Sequence, residues 1–169
     1  MSADLIEGEV SARGRRVAIV AARFNDFIVA SLLKGARAAW HERGGAAQDL
    51  TVVRVPGAFE LPVVVRRLAA SGRYDAVVAL GCVIRGDTPH FEYVAGECAR
   101  GIMDAGLATG VPIIFGVLTT ENQAQAEERA SLTRMNKGGE SMEAALEMIE
   151  LLAPFAPRPR RAKKRGRRG

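Results

Sequence analysis

Four short runs rich in β-branched residues, set far apart, constrain this chain more than any other feature. They are RRVAIVAA (Arg15 to Ala22), LTVVRV (Leu50 to Val55), DAVVALGCV (Asp75 to Val83) and VPIIFGVL (Val111 to Leu118). Each is apolar nearly throughout rather than alternating, the pattern of strands covered on both faces of a parallel sheet. The stretches between them carry apolar residues at helical spacing. DFIVASLLKGARAAWHERG ends at Gly44, a residue suited to the position after a helix; FELPVVVRRLAASG stops at Gly72, and PHFEYVAGECARGIMDAGLATG near Gly110. Two more helical patterns, NQAQAEERASL and GESMEAALEMIELLAP, follow the fourth run. The order β-α-β-α-β-α-β-α-α, with no second series of strands, predicts an open α/β sheet with helices on both faces.

Composition bounds the rest. With 169 residues and 48% hydrophobic content, the chain can bury one sizeable core. The net charge of +5 is not spread evenly. PFAPRPRRAKKRGRRG, at the C-terminus, holds eight cations, Arg158, Arg160, Arg161, Lys163, Lys164, Arg165, Arg167 and Arg168, and no acid; without them the remainder stands at −3. The reading is therefore an N-terminal segment over 1–14, a folded domain over 15–153 and a basic, disordered tail over 154–169. That tail is a solvated appendage, with contact to nucleic acid or another anionic surface as the alternative. The start, MSADLIEGEV, lacks a secretory pattern, and no apolar run approaches the ~20 residues that span a bilayer. Cys82 and Cys98 make no disulfide framework and no metal spacing. A cytoplasmic protein is expected.

Topology makes a functional forecast before any motif is considered. Ligands of open parallel sheets bind beyond the carboxyl ends of the strands. The segments leaving those ends are ARFND, PGAFE, IRGDTPH and TTENQ, each with polar or aromatic residues that a plain connection does not need. In GCVIRGDTPH, Thr88 and Pro89 suit the N-cap and first position of a helix. The free amides of Gly86-Asp87-Thr88 would then form an anion site at the positive end of the helix dipole, with structural capping alone as the plainer reading. His90, one turn in, could exchange protons near neutral pH. His41 sits among charges at a helix end and reads as a solvated side chain. Phe24 could stack on a planar heterocycle, or staple the next helix with Asn25 or Asp26 as cap. Glu60 could complement a helix dipole or accept hydrogen bonds from a polyol; pattern does not separate the two. Arg129, Arg134 and Lys137 do not stand out unaided. The chain has no Walker loop, G-x-G-x-x-G, H-E-x-x-H or G-x-S-x-G, which argues against the enzyme classes those motifs mark.

Taken together, ARFN, VPGAFELP, GCVIRGDTPHFEYV, FGVLTTEN and ERA…NKG resemble lumazine synthase, over roughly residues 10 to 152 and in order. The resemblance implies a flavodoxin-like three-layer α/β/α sandwich with a four-stranded parallel sheet. It implies a transferase that condenses 5-amino-6-(D-ribitylamino)uracil with 3,4-dihydroxy-2-butanone 4-phosphate, without metal or organic cofactor. Phe24 would stack on the pyrimidine, and Ala58, Phe59 and Glu60 would line the uracil and ribityl site. Cys82, Val83 and Ile84 would hold the ring edge through backbone groups. Asp87 and Thr88 would present amides to phosphate, and His90 would transfer protons. Phe115, Arg129 and Lys137 would serve the site of a neighbouring subunit, so a homo-oligomer, a pentamer or a multiple of pentamers, is implied. SLTRMN stands where many relatives have a Gly-rich linker that influences closure into shells. Two rivals are an archaeal-type riboflavin synthase, against which the GDTPH loop speaks, and a shell or nucleic-acid-binding protein of the same fold that has lost its chemistry.

Overall fold

A computed structural model of the protein describes residues 5–156. The tail reading therefore falls outside the described residues beyond a short 3-10 turn at Ala153–Phe155. The elements run β1 (Val17–Ala22), α1 (Asp26–Glu42), β2 (Leu50–Val55), α2 (Leu61–Ala70), β3 (Ala76–Ile84), α3 (His90–Thr109), β4 (Ile113–Thr120), α4 (Gln123–Ala130) and α5 (Lys137–Leu152). All strand pairs are parallel, in the order β2-β1-β3-β4. The chain steps one way from β1 to β2, then reverses across β1 to β3 and on to β4. Right-handed crossovers oblige helices on the two sides of such a reversal to lie on opposite faces. They do: α1 packs on one face and α2 and α3 on the other, with α4 and α5 joining α1.

Side-chain alternation along the strands builds the two halves of the core. Val17, Ile19 and Ala21 of β1, with Val78, Leu80 and Cys82 of β3, face Ile28, Leu32 and Trp40 of α1 and Met142 and Leu146 of α5. Ala18 and Val20, with Val77 and Ala79, face Leu61 and Val65 of α2 and Cys98 and Ile102 of α3. The single Trp40 is fully buried and donates its indole N–H to the Ala46 carbonyl at 3.1 Å, which satisfies the one polar atom it takes from water. This is the expected flavodoxin-like three-layer α/β/α sandwich.

Only the central strands meet the expectation of burial on both faces. β1 is buried throughout, whereas β2 and β4 are the edges and leave Val52 and Phe115 exposed. A run of apolar residues signals a parallel strand but does not say where in the sheet it lies. Among the described residues, no helix is long and apolar enough to cross a membrane.

Helices α1 and α5 approach so closely that side chains are excluded between them. A Cβ on Gly138 would lie 2.0 Å from the Leu32 carbonyl oxygen, a backbone atom that cannot swing away. Gly106, inside α3, has only ordinary contacts at 3.8 Å or beyond. Gly138→Ala should therefore lower unfolding stability by about 1–3 kcal/mol through overpacking, while Gly106→Ala should raise it by up to about 1 kcal/mol through helix propensity. Denaturant titration of the two variants checks both signs.

Candidate active site

The carboxyl ends of β1 and β3 are neighbours, and the connections leaving them go to opposite faces. This is the switch point where open α/β sheets hold ligands. After β1, the Arg23 and Phe24 amides donate to the carbonyls of Val55 and Pro56 at 2.8 and 3.0 Å, so the β1–β2 ladder continues into the loop. Phe24 is thereby fixed at the rim with 71% of its surface exposed. Asn25 then turns the chain in the left-handed region at φ 57°. It occupies the N-cap of α1, as one of the two expected caps, yet its side chain makes no capping bond. Its amide instead donates to the Cys82 carbonyl at 2.9 Å, across the switch point. Asp26, the other expected cap, pairs with Arg54 of β2.

The second loop folds onto the first. Pro56-Gly57 turns the chain into a 3-10 turn over Ala58–Glu60 that leads directly into α2. Ala58 is buried there, and Phe59 projects outward. Gly57 is extended, so its lack of a side chain is a matter of room rather than backbone freedom. A Cβ at that position would lie 3.2 Å from Glu60 Oε2 and 4.0 Å from the Phe24 Cβ. The Glu60 carboxylate and the base of the Phe24 side chain thus meet at Gly57, where an added Cβ would push the carboxylate aside.

The third loop leaves β3. Cys82 is buried, Val83 and Ile84 are half-buried at the strand end, and Gly86 to His90 are exposed. The helix begins one position later than the Thr88-Pro89 pattern suggests: α3 starts at His90 with Pro89 as its N-cap, and no side chain caps it. The threonine N-cap is thus corrected. Proline's fixed φ of −68° sets the direction in which the chain enters the helix, without a hydroxyl contribution. Asp87 and Thr88 lie in the exposed loop directly before it, and His90 opens the helix.

Three expected residues lie elsewhere. Phe115 is the third residue of β4, in register with Ala79, and its side chain emerges on the α2–α3 face. Arg129 is in the last turn of α4 and donates to the Gln125 carbonyl at 3.2 Å. Lys137 opens α5 and pairs with Glu140. Phe24, Ala58, Phe59, Glu60, Cys82, Val83, Ile84, Asp87, Thr88 and His90 belong to the carboxyl edge; Phe115, Arg129 and Lys137 do not join them within one chain. Two open clefts, of about 400 and 340 Å³, lie between the start of α1 and α4 with its following linker, and between α2 and α3; none of the residues expected at the carboxyl edge lines either. Among the described residues, no three His, Cys, Asp or Glu side chains gather as metal ligands.

Sequence reasoning missed the cross-link from Asn25 to Cys82. The signal available was an asparagine three residues after a buried strand, where its amide can reach a neighbouring strand's last carbonyls as readily as its own helix.

An aromatic ring, a carboxylate, an exposed loop and an imidazole lie at the switch point of a doubly wound, flavodoxin-like α/β sheet, where folds of this class hold small molecules. Comparison with known proteins makes the class specific. The family model of 6,7-dimethyl-8-ribityllumazine synthase matches residues 14–153. A 6,7-dimethyl-8-ribityllumazine synthase of Syntrophus aciditrophicus (strain SB) is 53% identical over 146 residues, 86% of this chain and 95% of that protein. Those of Chlorobium chlorochromatii (strain CaD3) and Chlorobium phaeovibrioides (strain DSM 265 / 1930) are each 50% identical over 151 residues, 89% of this chain and 97% of theirs. The chain belongs to the 6,7-dimethyl-8-ribityllumazine synthase family. An archaeal-type riboflavin synthase is not favoured.

Burial pushes the thiols of Cys82 and Cys98 up from the ordinary 9.0 to about 11. Only roughly one thiol in ten thousand is then ionised at pH 7. In the folded protein neither should react with a thiolate-specific reagent on the timescale that labels free cysteine, and both should react once unfolded. The neutral thiol is the form the fold favours, so its contribution to stability is complete below pH 9.0 and fades as pH rises through about 11. The stability gap between the wild type and a Cys82→Ala/Cys98→Ala variant should accordingly narrow from pH 8 to pH 11 in denaturant titrations.

Proposed function

We propose that this protein condenses 5-amino-6-(D-ribitylamino)uracil with 3,4-dihydroxy-2-butanone 4-phosphate to give 6,7-dimethyl-8-ribityllumazine, with release of phosphate and water, the penultimate step of riboflavin biosynthesis. The observation that carries this reading is the family match over residues 14–153, which includes all the polar loops at the carboxyl edge. In this scheme Phe24 stacks on the pyrimidine while Ala58, Phe59 and Glu60 line the uracil and ribityl chain. Backbone groups of Cys82, Val83 and Ile84 hold the ring edge. Asp87 and Thr88 present amides to the phosphate at the positive end of α3. The amine attacks the ketone, an imine forms, phosphate is eliminated and the ring closes, with His90 moving the protons. Most of the acceleration comes from holding two substrates in register, helped by electrostatic stabilisation of the departing phosphate.

The site is shared between subunits. Phe115 lies five residues before the end of β4, about 16 Å from the carboxyl edge at ~3.3 Å per residue. That separation supports its covering the ring bound by a neighbour, the side of the shared site to which this scheme also assigns Arg129 and Lys137. The surface favours such an assembly. Tyr93, Met103 and Leu107 of α3 are 68%, 63% and 77% exposed, beside the Glu97–Arg100–Asp104 ion pairs and on the same face of the sheet as Phe115. Large apolar side chains interleaved with paired charges suit a contact between subunits, here in a head-to-tail ring. A pentamer is the minimum assembly, in a cytoplasmic enzyme that uses no metal or organic cofactor.

Mixing the two substrates with the protein and following lumazine fluorescence tests the activity, and its absence refutes it. His90→Ala should slow turnover by roughly 100-fold, the low end for a positioned acid–base group, without abolishing it. Arg129→Ala should chiefly raise KM for the butanone phosphate, and unchanged constants would remove its role. Co-expressed Glu60→Ala and Arg129→Ala chains test the sharing directly. In randomly mixed rings about a quarter of the sites pair two intact halves, so at butanone phosphate concentrations far below the KM of the Arg129→Ala variant, where each variant alone is nearly inactive, activity should exceed that of either. No recovery in mixed rings would place the whole site in one chain.

A further inference from the structure

We infer that Arg85 is a positioning residue: its side chain staples shut the loop that carries Asp87, Thr88 and His90. The inference rests on the proposed role of that loop in holding phosphate and moving protons.

Arg85 is the first residue beyond β3, and its backbone N–H donates to the Thr120 carbonyl at 2.9 Å, the last rung between β3 and β4. From that fixed point the side chain makes three contacts. Nε donates to Glu121 Oε2 at 2.7 Å, on the loop after β4. A terminal nitrogen pairs with Glu92 in the first turn of α3. The guanidinium plane also lies 4.2 Å from the centroid of the Phe91 ring. Arg85 therefore grips residues six and seven positions ahead of it, and the exposed segment Gly86–Pro89 bows out between the two ends of the grip. His90 adjoins both Phe91 and that segment. A planar fork that can bind two carboxylates at once and stack on a ring is particular to arginine. Lysine can reach both acids but has neither the rigid fork nor the flat face that stacks on the ring.

The staple supplies what the loop otherwise lacks. No side chain caps α3, and a Cβ on Gly86 would meet nothing within 4 Å. The charges are solvent-exposed, so each pair is weak and the staple adds little to global stability. A loop needs far less than the whole fold to be ordered, because local openings span the range from near zero up to the global free energy. The same contacts hold Glu92 below the ordinary carboxylate range, as expected for an acid bonded to a guanidinium. With its fork occupied by Glu92 and Glu121, Arg85 faces the loop's frame rather than its ligand.

Arg85→Ala should leave the denaturation midpoint close to that of the wild type. It should raise KM for the butanone phosphate by roughly three- to tenfold, lower kcat by a similar factor and leave KM for the pyrimidine unchanged, since loop placement and not the Phe24–Glu60 half is disturbed. Arg85→Lys should recover only part of the loss. Glu121→Gln separates positioning from direct contact. A stapling arginine makes this variant weaken phosphate use too, less than additively with Arg85→Ala; an arginine that touched phosphate itself would be freed by it, and phosphate use would improve or stay the same. Backbone hydrogen exchange over residues 86–90 should quicken in Arg85→Ala, a readout that does not depend on catalysis. If the wild type made no lumazine, the exchange result would still decide the staple. Unchanged exchange, or quickened exchange with unchanged kinetic constants in an active enzyme, overturns the inference.

Discussion

The reversal of direction between β1 and β3 is the constraint on which the rest of the molecule depends. Two parallel strands whose crossovers leave to opposite faces cannot have their loops covered by the same helix, so a crevice opens between those loops. The protein closes its floor with one bond, from the Asn25 amide to the Cys82 carbonyl. That bond explains why a non-glycine residue sits in the left-handed region there: asparagine tolerates such a backbone better than most residues, and only a short amide there can reach the neighbouring strand. The burial of β1 on both faces makes the floor rigid, and the loops inherit that rigidity through the bonds of Arg23, Phe24 and Arg85 to adjoining strands.

Much of this was legible in the sequence because parallel strands announce themselves. VAIVAA and AVVALGCVI are too apolar for one-sided burial, and the glycines at 44, 72 and 110 close their helices in the left-handed conformation or beside it, at φ of 84°, 69° and 69°. The loops at the carboxyl ends followed from direction alone. What did not follow was position within the sheet. β2 and β4 read like their buried neighbours, and only the strand order makes Val52 and Phe115 edge residues. The start of α3 was misplaced by one residue because Thr-Pro is a common helix-start signal whose hydroxyl need not be used.

Long-range side-chain bonds were the least legible part. Arg85 to Glu121 joins residues 36 positions apart, and nothing local in IRGDTPH ties the arginine to a partner in TTENQ. The nearer half of the staple left a trace, a Phe-Glu pair directly after the histidine. Gly57 is similar: Pro-Gly reads as a turn, yet its backbone is extended, and what an added side chain there would meet first is the Glu60 carboxylate.

Exposure of the carboxyl edge bears on how such a site could work at all. Phe24 and Phe59 stand bare at 71% and 58% exposure, near a half-buried carboxylate and an exposed imidazole. Orientation of two substrates and electrostatic stabilisation of a leaving phosphate both lose force in bulk solvent, where the dielectric is high and positions are loose. A single chain therefore presents the chemical groups without the enclosure. The same chain carries an exposed ring on β4 and exposed apolar side chains on α3 that its own fold does not cover. Under the shared-site scheme one contact between copies removes both deficits, since the surface that must be hidden is the surface that would roof the neighbour's crevice. Assembly and catalysis would then be selected together, and a variant that weakened the ring would lose activity before it lost its fold.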